Sequence, residues 1–171
     1  MNMQTWDAIT SRRNVRSFSD QQVSREHLDQ ILEAGRRAPS SNNSQPWDFV
    51  VVTEREQLQK LAEVWRGAGH VASSEATVAL IISDDPEHAR RVQFDLGQAT
   101  MSIMLAAADV GIGSCHSGVG DQALADRLLG LPAGRTCSFL ISLGYPAGRP
   151  LTPIGKPDRK PFDSVVHRGT W

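Results

Sequence analysis

Hydrophobic and polar positions recur along the 171-residue chain with two different spacings, which predict both helices and strands. Apolar residues recur at intervals of three and four in segments 24–38 and 54–64, the spacing of one helical face. Segment 48–53 carries the uninterrupted run Phe-Val-Val-Val, and segments 77–83 and 137–143 carry similar runs. These three segments are predicted to be buried strands.

Other elements are predicted from capping residues and helix breakers. They are a helix at 6–11 capped by Thr5, a long helix from Pro86 to Val110 ended by Gly111, a short strand or loop at 113–119, and a helix to Leu129 capped by Asp121. The chain contains no internal repeat, low-complexity segment or linker. We therefore expect one α+β domain that spans residues 1–171.

Two segments predict a second subunit. Residues 99–110 of the long helix are apolar almost all the way round, so the helix needs cover on every side. A single small domain covers such a helix with difficulty, whereas a subunit interface would do so. The tail at 144–171 has five prolines and little periodicity, yet it ends in Val165, Val166 and Trp171. This composition indicates an extended arm that lies on another surface, such as that of a partner.

Composition narrows the class of protein. Hydrophobic residues make up 40% of the chain and charged residues 22%, which is ordinary for a soluble protein. Eighteen Lys and Arg balance nineteen Asp and Glu, which argues against nucleic acid as a partner. The start of the sequence has no secretory pattern, and no segment is apolar and long enough to span a membrane. Two cysteines are too few for a disulfide framework, so a reducing cytoplasm is the expected location.

An arginine cluster follows the first predicted helix. Arg12, Arg13 and Arg16 lie within five residues, beside the polar Ser11 and Asn14. Three guanidinium groups can bind a phosphate or carboxylate through charge-assisted hydrogen bonds. Arginines at the end of a helix also complement its dipole, and charge runs are commonly solvated. The cluster alone does not distinguish an anion-binding site from arginines that complement the helix dipole or are solvated.

A polar run connects the second predicted helix to the first strand. Residues 39–47 read Pro-Ser-Ser-Asn-Asn-Ser-Gln-Pro-Trp, with six consecutive hydroxyl or amide side chains between the two prolines. Such a loop offers hydrogen bonds to a neutral ring system or a sugar-like chain. Ser and Asn also favour caps and turns for purely local reasons, so an ordinary turn cluster is the alternative.

Taken together, these motifs resemble the nitroreductase family. The residues that carry the resemblance are Arg-Arg-Asn-Val-Arg-Ser-Phe at 12–18 and Ala-Pro-Ser-Ser-Asn-Asn-Ser-Gln-Pro-Trp at 38–47. Segments 111–115, 143–146 and 160–167 match later landmarks in the same order, so the resemblance covers nearly the whole chain. It implies a central, mostly antiparallel sheet flanked by helices, in an intertwined homodimer with an exchanged C-terminal arm.

The resemblance also implies a flavin mononucleotide (FMN) site built from both subunits, with NAD(P)H as electron donor. By position, Arg12, Arg13 and Asn14 would hold the phosphate and ribityl chain, and Arg16 the N1–C2=O edge of the flavin. Ser117 and Gly118 would lie beside the ring. The other cofactor-binding residues would be Pro39, Ser40, Ser41 and Asn43 of the other subunit, together with Arg159 and Lys160 or Lys156 of the tail.

The implied chemistry needs no catalytic side chain, because the flavin accepts hydride at N5 and passes it to an electron-poor acceptor such as a nitroaromatic or quinone. Two substrates that share one site would give ping-pong kinetics. The alternatives are a specialised flavin dehydrogenase or dehalogenase, and a flavin-binding or redox-sensing module with little turnover.

Three departures from the family pattern bear on this expectation. Asn14 stands where serine is common, and His116 where many relatives have tryptophan. Only about ten residues, 84–93, separate the second strand from the long helix, so a helical cover over the flavin is expected to be missing. The residue at the pyrimidine edge of the ring is not identified, although His70 lies in that vicinity.

Other motifs were weighed and set aside. The glycines at 111–118 do not form the GxGxxG pattern after a first strand, and no P-loop pattern occurs. The histidines are too scattered for a zinc site, so no metal is expected. Cys115 and His116 are adjacent on a predicted strand and should point to opposite faces, which excludes them as a nucleophilic pair.

Overall fold

A computed structural model describes residues 4–83, 87 and 89–171. The helices are α1 (Thr5–Ser11), α2 (Arg25–Arg36), α3 (Arg55–Leu61), α4 (Ala89–Asp109) and α5 (Gln122–Leu129), with short 3-10 turns at Ser41–Asn43, Ala62–Val64, Gly69–Val71 and Phe162–Ser164. The strands are β1 (Asp48–Val52), β2 (Ala76–Ser83), β3 (Gly113–Gly118) and β4 (Arg135–Gly144).

The four strands form one antiparallel sheet in the order β1-β2-β4-β3. One face packs on α2 and α4 through a core that includes Ile31, Leu80 and Ile103. The other face packs on α3 and α5 through a core that includes Leu58, Leu140 and Ala125. The chain is therefore a helix–sheet–helix sandwich, which confirms the predicted α+β class with its antiparallel sheet.

The helix ends follow local capping chemistry. Ser24 caps α2 by accepting a hydrogen bond from the His27 amide, and Asp121 caps α5 in the same way, as predicted. Thr5 was predicted as the cap of α1 and is not, because it already lies in the helix and Gln4 occupies the cap position. The predicted start of α4 at Pro86 lies outside the described residues.

Two predicted features of the sheet and α4 need correction. The strand at 48–53 was predicted to be buried, but β1 is an edge strand in which only Val52 is buried. The connection before α4 was predicted to reach Gln93, but Ala89 already begins the helix. Within the described residues, no helix is long and apolar enough to cross a membrane.

The C-terminal tail has an attached part and an exposed part. Residues 145–147 hydrogen-bond along the segment that follows α1: Ser19 donates to the Tyr145 carbonyl and Ala147 donates to the Ser17 carbonyl. The Ile154 amide donates to the carbonyl of Thr10. Every residue from 155 to 171 is exposed, including the apolar Phe162 and Trp171. The arm thus leaves its own domain without a surface beneath it.

Candidate functional site

The arginine cluster lies along the free edge of β3. The Val15 amide donates to the carbonyl of Ser114 at 2.9 Å, and Asn14 forms a parallel bridge to the same residue. Val15 is buried against the strand, whereas Arg12 and Arg13 are partly exposed. Backbone hydrogen bonds therefore fix the arginines beside β3, which a solvated charge run would not require.

Two paired glycines make this close approach possible. Gly113 of β3 and Gly144 of β4 are opposite each other in the sheet. A Cβ on Gly113 would lie 2.7 Å from Cγ2 of Val15, and one on Gly144 would lie 2.8 Å from Cδ1 of Phe18. Any larger residue would push the segment away, since real Cβ atoms do not approach so closely. The glycine pair thus helps set the position of the intervening Arg16.

The arginines divide between two sides of the extended segment. Nη1 of Arg12 donates to Oδ1 of Asn14 at 3.4 Å, as expected for alternate residues on one side. Arg13 faces the tail instead: its Nη2 donates to the carbonyl of Arg149 at 2.6 Å and its Nη1 to that of Pro150 at 3.4 Å. Burial and the charge of Arg149 lower the pKa of Arg13. Arg13 therefore holds the tail in this chain.

Arg12 and Arg16 are available to an anion. Arg16 is exposed, and within the described residues no carboxylate pairs with either guanidinium. The other arginine-rich surface, on α2, is different because Glu33 binds both Arg36 and Arg37, and these hydrogen bonds lower its pKa to about 2. Unpaired guanidinium groups beside β3 are suited to bind phosphate or a delocalised negative charge.

Near β3, two buried polar atoms lack a hydrogen-bond partner among the residues that the structure describes. Ser117 on β3 is 7% exposed and its Oγ is unpaired. His70 is 6% exposed; its Nδ1 hydrogen-bonds with Oγ of Ser142 on β4, whereas its Nε2 is unpaired. Burial lowers the pKa of His70, and the charges of Arg16 and His116 lower it further. Since buried polar groups normally have partners, these atoms are candidates for contact with a ligand.

We call Arg12, Asn14, Arg16, His70, Ser117 and Gly118 the sheet-edge group. A cavity of about 280 Å³ adjoins it between α4 and the sheet. Arg12 and His116 lie at its polar side, and Met101, Met104 and Phe139 are among the apolar residues that line it. The cavity therefore combines an apolar lining with a positive charge.

Cys115 and His116 point to opposite faces, as predicted. Cys115 is fully buried, and burial raises the pKa of its thiol. His116 is exposed and lines the cavity on the α4 side. A buried neutral thiol is a poor nucleophile, so this pair has no covalent role.

The polar run forms a second candidate surface, which we call the loop group: Pro39, Ser40, Ser41 and Asn43. Asn42, Asn43 and Gln45 adopt left-handed backbone angles, with φ of 54°, 53° and 47°. Side-chain-bearing residues rarely adopt this conformation, and three in four positions are unusual. A loop with such a backbone needs support from its surroundings.

That support comes from Asp95 on α4, which the sequence analysis did not identify. Asp95 is 1% exposed and accepts hydrogen bonds from the backbone amide of Ser41 at 3.0 Å and from its hydroxyl at 3.3 Å. Gln98 donates to the same carboxylate at 3.4 Å and to the Pro39 carbonyl at 3.3 Å. Only the sequence separation of 54 residues hides this link from pattern analysis.

Within one chain, the predicted site residues fall into separate places. The sheet-edge group lies at β3, whereas the loop group rests on Asp95 of α4, and among the described residues no hydrogen bond, ion pair or cavity joins them. Arg159 and Lys160, with Lys156, are exposed on the arm, where Nη1 of Arg159 donates to the neighbouring Asp158 carbonyl. The structure thus brings together only the first of the three predicted sets.

Comparison with known proteins gives this arrangement a family. The family model described as the nitroreductase family matches residues 9–74 and 65–145. An Archaeoglobus fulgidus protein named NADH dehydrogenase/NAD(P)H nitroreductase is 38% identical, and the match covers 95% of this chain and 96% of that protein. A Bacillus subtilis FMN reductase is 30% identical over 96% of this chain and 73% of that protein.

A solved structure shows the same fold. The NADPH:FMN oxidoreductase from Vibrio harveyi, complexed with NAD+, superposes with a TM-score of 0.84 at 28% sequence identity. The superposition covers 98% of this chain and 77% of that one. Family model, relatives and structure agree with the motifs at 12–18 and 38–47, and the chain belongs to the nitroreductase family.

Proposed function

We propose that this chain is an FMN-dependent oxidoreductase that takes hydride from NAD(P)H and reduces an electron-poor acceptor. Its membership of the nitroreductase family and the names of its relatives support the reaction class. The observation that carries the cofactor assignment is the sheet-edge group. Arg12 and Arg16 lie on a segment that hydrogen-bonds to β3, and the buried Oγ of Ser117 and Nε2 of His70 have no hydrogen-bond partner among the described residues.

The residues at this edge fit FMN chemically. Arg12 and Asn14 share one side of the segment and offer charge-assisted and neutral hydrogen bonds to a phosphate and a ribityl hydroxyl. Arg16 offers a positive charge to the ring edge where negative charge develops on reduction. Ser117 and Gly118 offer a hydroxyl and a small backbone surface for a flat ring. When bound, the FMN supplies the hydride chemistry, and the protein binds it and stabilises its charge.

The loop group is proposed to complete the site from the other subunit of a homodimer. In its own chain, the loop group hydrogen-bonds to α4 and is not joined to the sheet-edge group within the described residues. This agrees with a role of Pro39, Ser40, Ser41 and Asn43 in a partner's site. Arg159 and Lys160 would approach the phosphate from the arm, whose attached part is fixed by Arg13. The exposed apolar residues Phe94 and Met101 on α4 also support an interface there.

We further propose an open pocket above the ring. The strand β2 ends at Ser83 and α4 begins at Ala89, which leaves too few residues for a helical cover. An open site would admit nitroaromatics or quinones one after the other with NAD(P)H, as ping-pong kinetics requires. A cytoplasmic location is proposed from the two free, buried cysteines.

Anaerobic spectroscopy of the purified protein tests this function. The protein, as isolated or after addition of FMN, is expected to show a flavin spectrum that bleaches with NADH or NADPH and recovers with a quinone or nitroaromatic. A protein that takes up no FMN would contradict the cofactor assignment. A flavin spectrum that neither nicotinamide bleaches would favour the flavin-binding module instead.

A further inference from the structure

We propose that His70 takes up a proton when the bound flavin is reduced, so that this imidazole links electron arrival to proton uptake at the sheet-edge group. The inference rests on the proposed function, because it requires FMN beside Arg16. The His70 side chain is buried, and only one of its two ring nitrogens has a hydrogen-bond partner among the described residues. The other nitrogen has no role in the fold.

The hydrogen bonds around His70 fix which of its nitrogens carries the proton. Oγ of Ser142 donates its only hydrogen to the carbonyl of Cys115 at 3.2 Å. It can therefore only accept from His70, so Nδ1 of the imidazole must be the donor in their hydrogen bond. A neutral imidazole with the proton on Nδ1 has a bare lone pair on Nε2. Nε2 is thus a base that is held in place and has no partner in the described part of the chain.

The charges around the ring keep it neutral until an anion arrives. His70 belongs to the 3-10 turn Gly69–Val71, which supplies no other charged group. β4 supplies the neutral Ser142, and β3 supplies the neutral thiol of Cys115 and the imidazole of His116. The segment beside β3 supplies the positive Arg16. Burial and these neighbours all oppose a charge on His70, and its pKa lies below the ordinary value.

The same arrangement favours protonation once negative charge is added next to it. Reduction by two electrons with one proton leaves the flavin with one negative charge, and an adjacent anion raises the pKa of an imidazole. Nε2 of His70 then accepts a second proton from solvent, which forms one N–H bond and leaves the imidazolium with charge +1. Two electrons and two protons enter the site, and its net charge is unchanged overall.

The pH window follows from the sign of these shifts. In the oxidised protein His70 is neutral above its lowered pKa, and in the reduced protein it stays protonated up to its raised pKa. Only between these two values does reduction take up the additional proton. There the flavin midpoint potential should fall with pH by about 30 mV per unit more than in a variant without this base, because the couple transfers two electrons.

Histidine ¹⁵N NMR on the wild-type protein is the primary experiment. In the protein without FMN, the His70 resonances should show a proton on Nδ1 and a bare Nε2 at neutral pH, a result that does not depend on flavin binding. With FMN bound and reduced anaerobically by dithionite, both nitrogens should show the imidazolium shift at the same pH. A neutral His70 in the reduced holoprotein would overturn the proposal.

Potentiometry with His70→Asn supplies the second measurement. Asparagine keeps a donor for Ser142 and an acceptor in the pocket but cannot be protonated. The flavin midpoint potential of His70→Asn should depend less steeply on pH than that of the wild type. The control His27→Asn, at the start of α2, should show the same pH dependence of the potential as the wild type. Equal slopes in wild type and His70→Asn, both with FMN bound, would overturn the proposal. Failure of the wild type to bind FMN would instead refute the proposed function.

Discussion

The sheet-edge group and the loop group are two halves of one proposed site, but they are supported in different ways. The arginine segment joins β3 through backbone hydrogen bonds and glycine contacts, so the sheet itself holds it. The loop depends on one buried carboxylate, Asp95, and includes three residues with left-handed backbone angles. The position of the sheet-edge group should therefore depend on packing against β3. The position of the loop group should depend on a single hydrogen-bond acceptor.

The largest expected effect is on FMN affinity when the sheet-edge group loses its charge. Replacing Arg12 by Ala removes a charge-assisted hydrogen bond, which typically costs about 1.5–3 kcal/mol, or roughly 10- to 150-fold in Kd. Fluorescence titration of the apoprotein with FMN measures this. Arg36→Ala is the matched control, because that guanidinium is already bound to Glu33 on a different surface. Equal affinity in Arg12→Ala and wild type would remove Arg12 from the site.

The second test changes the packing of the same half. Gly113→Ala places a methyl group against Val15, and such overpacking costs about 1–3 kcal/mol of the free energy of unfolding. FMN affinity should also fall, because the segment that carries Val15 would move away from β3 and take Arg16 with it. Gly148→Ala is the control, because no atom lies within 4 Å of its added methyl. Urea unfolding and FMN titration of both variants are the measurements, and an unchanged Gly113→Ala protein would contradict the close contact.

The third test removes support from the loop half. Asp95→Ala leaves the Ser41 amide without its acceptor, which should cost about 1–3 kcal/mol. Hydrogen exchange at Ser41 should accelerate in the apoprotein, while exchange at Val15 should not change. Asp95→Asn retains one acceptor oxygen and should show a smaller effect. Protection at Ser41 that survives Asp95→Ala would mean that the loop holds its own shape.

The smallest effect is expected at the arm. Arg13→Ala removes hydrogen bonds to the Arg149 and Pro150 carbonyls on a partly exposed surface, a loss of about 0.5–1.5 kcal/mol. Hydrogen exchange at the Ile154 amide, which donates to the Thr10 carbonyl, should accelerate as the tail loosens, and FMN affinity should fall less than in Arg12→Ala. A larger loss of FMN in Arg13→Ala than in Arg12→Ala would show that Arg13 binds the phosphate directly.

The sequence predicted most of the fold because its signals are local. The apolar runs and the cap at Asp121 belong to single elements, and the structure confirms them. The exposed position of β1 could not be predicted, since a run of valines looks the same in an edge strand and a central one. The place of each strand in the sheet depends on pairing between residues that are far apart in the sequence.

The candidate site was predictable only where motifs carry it. The resemblance to the nitroreductase family pointed to Arg12, Asn14 and Ser117, and the structure places them on or beside the edge strand β3. Asp95 and Ser142 carry no local signal, because their roles come from residues far away in the chain, at Ser41 and His70. The separation of the three arginines into two directions needed the path of the tail as well.

Subunit complementation tests most directly whether the two halves come from different chains. Arg12→Ala chains keep an intact loop group, and Asp95→Ala chains keep an intact sheet-edge group. The two purified variants are unfolded, mixed in equal amounts and refolded. FMN is then added at a concentration at which neither variant alone binds it. If the site spans two subunits, each mixed dimer regains one intact site, and about a quarter of all sites should bind FMN. If each site lies within one chain, the mixture will bind no more FMN than the separate variants, which would contradict the account.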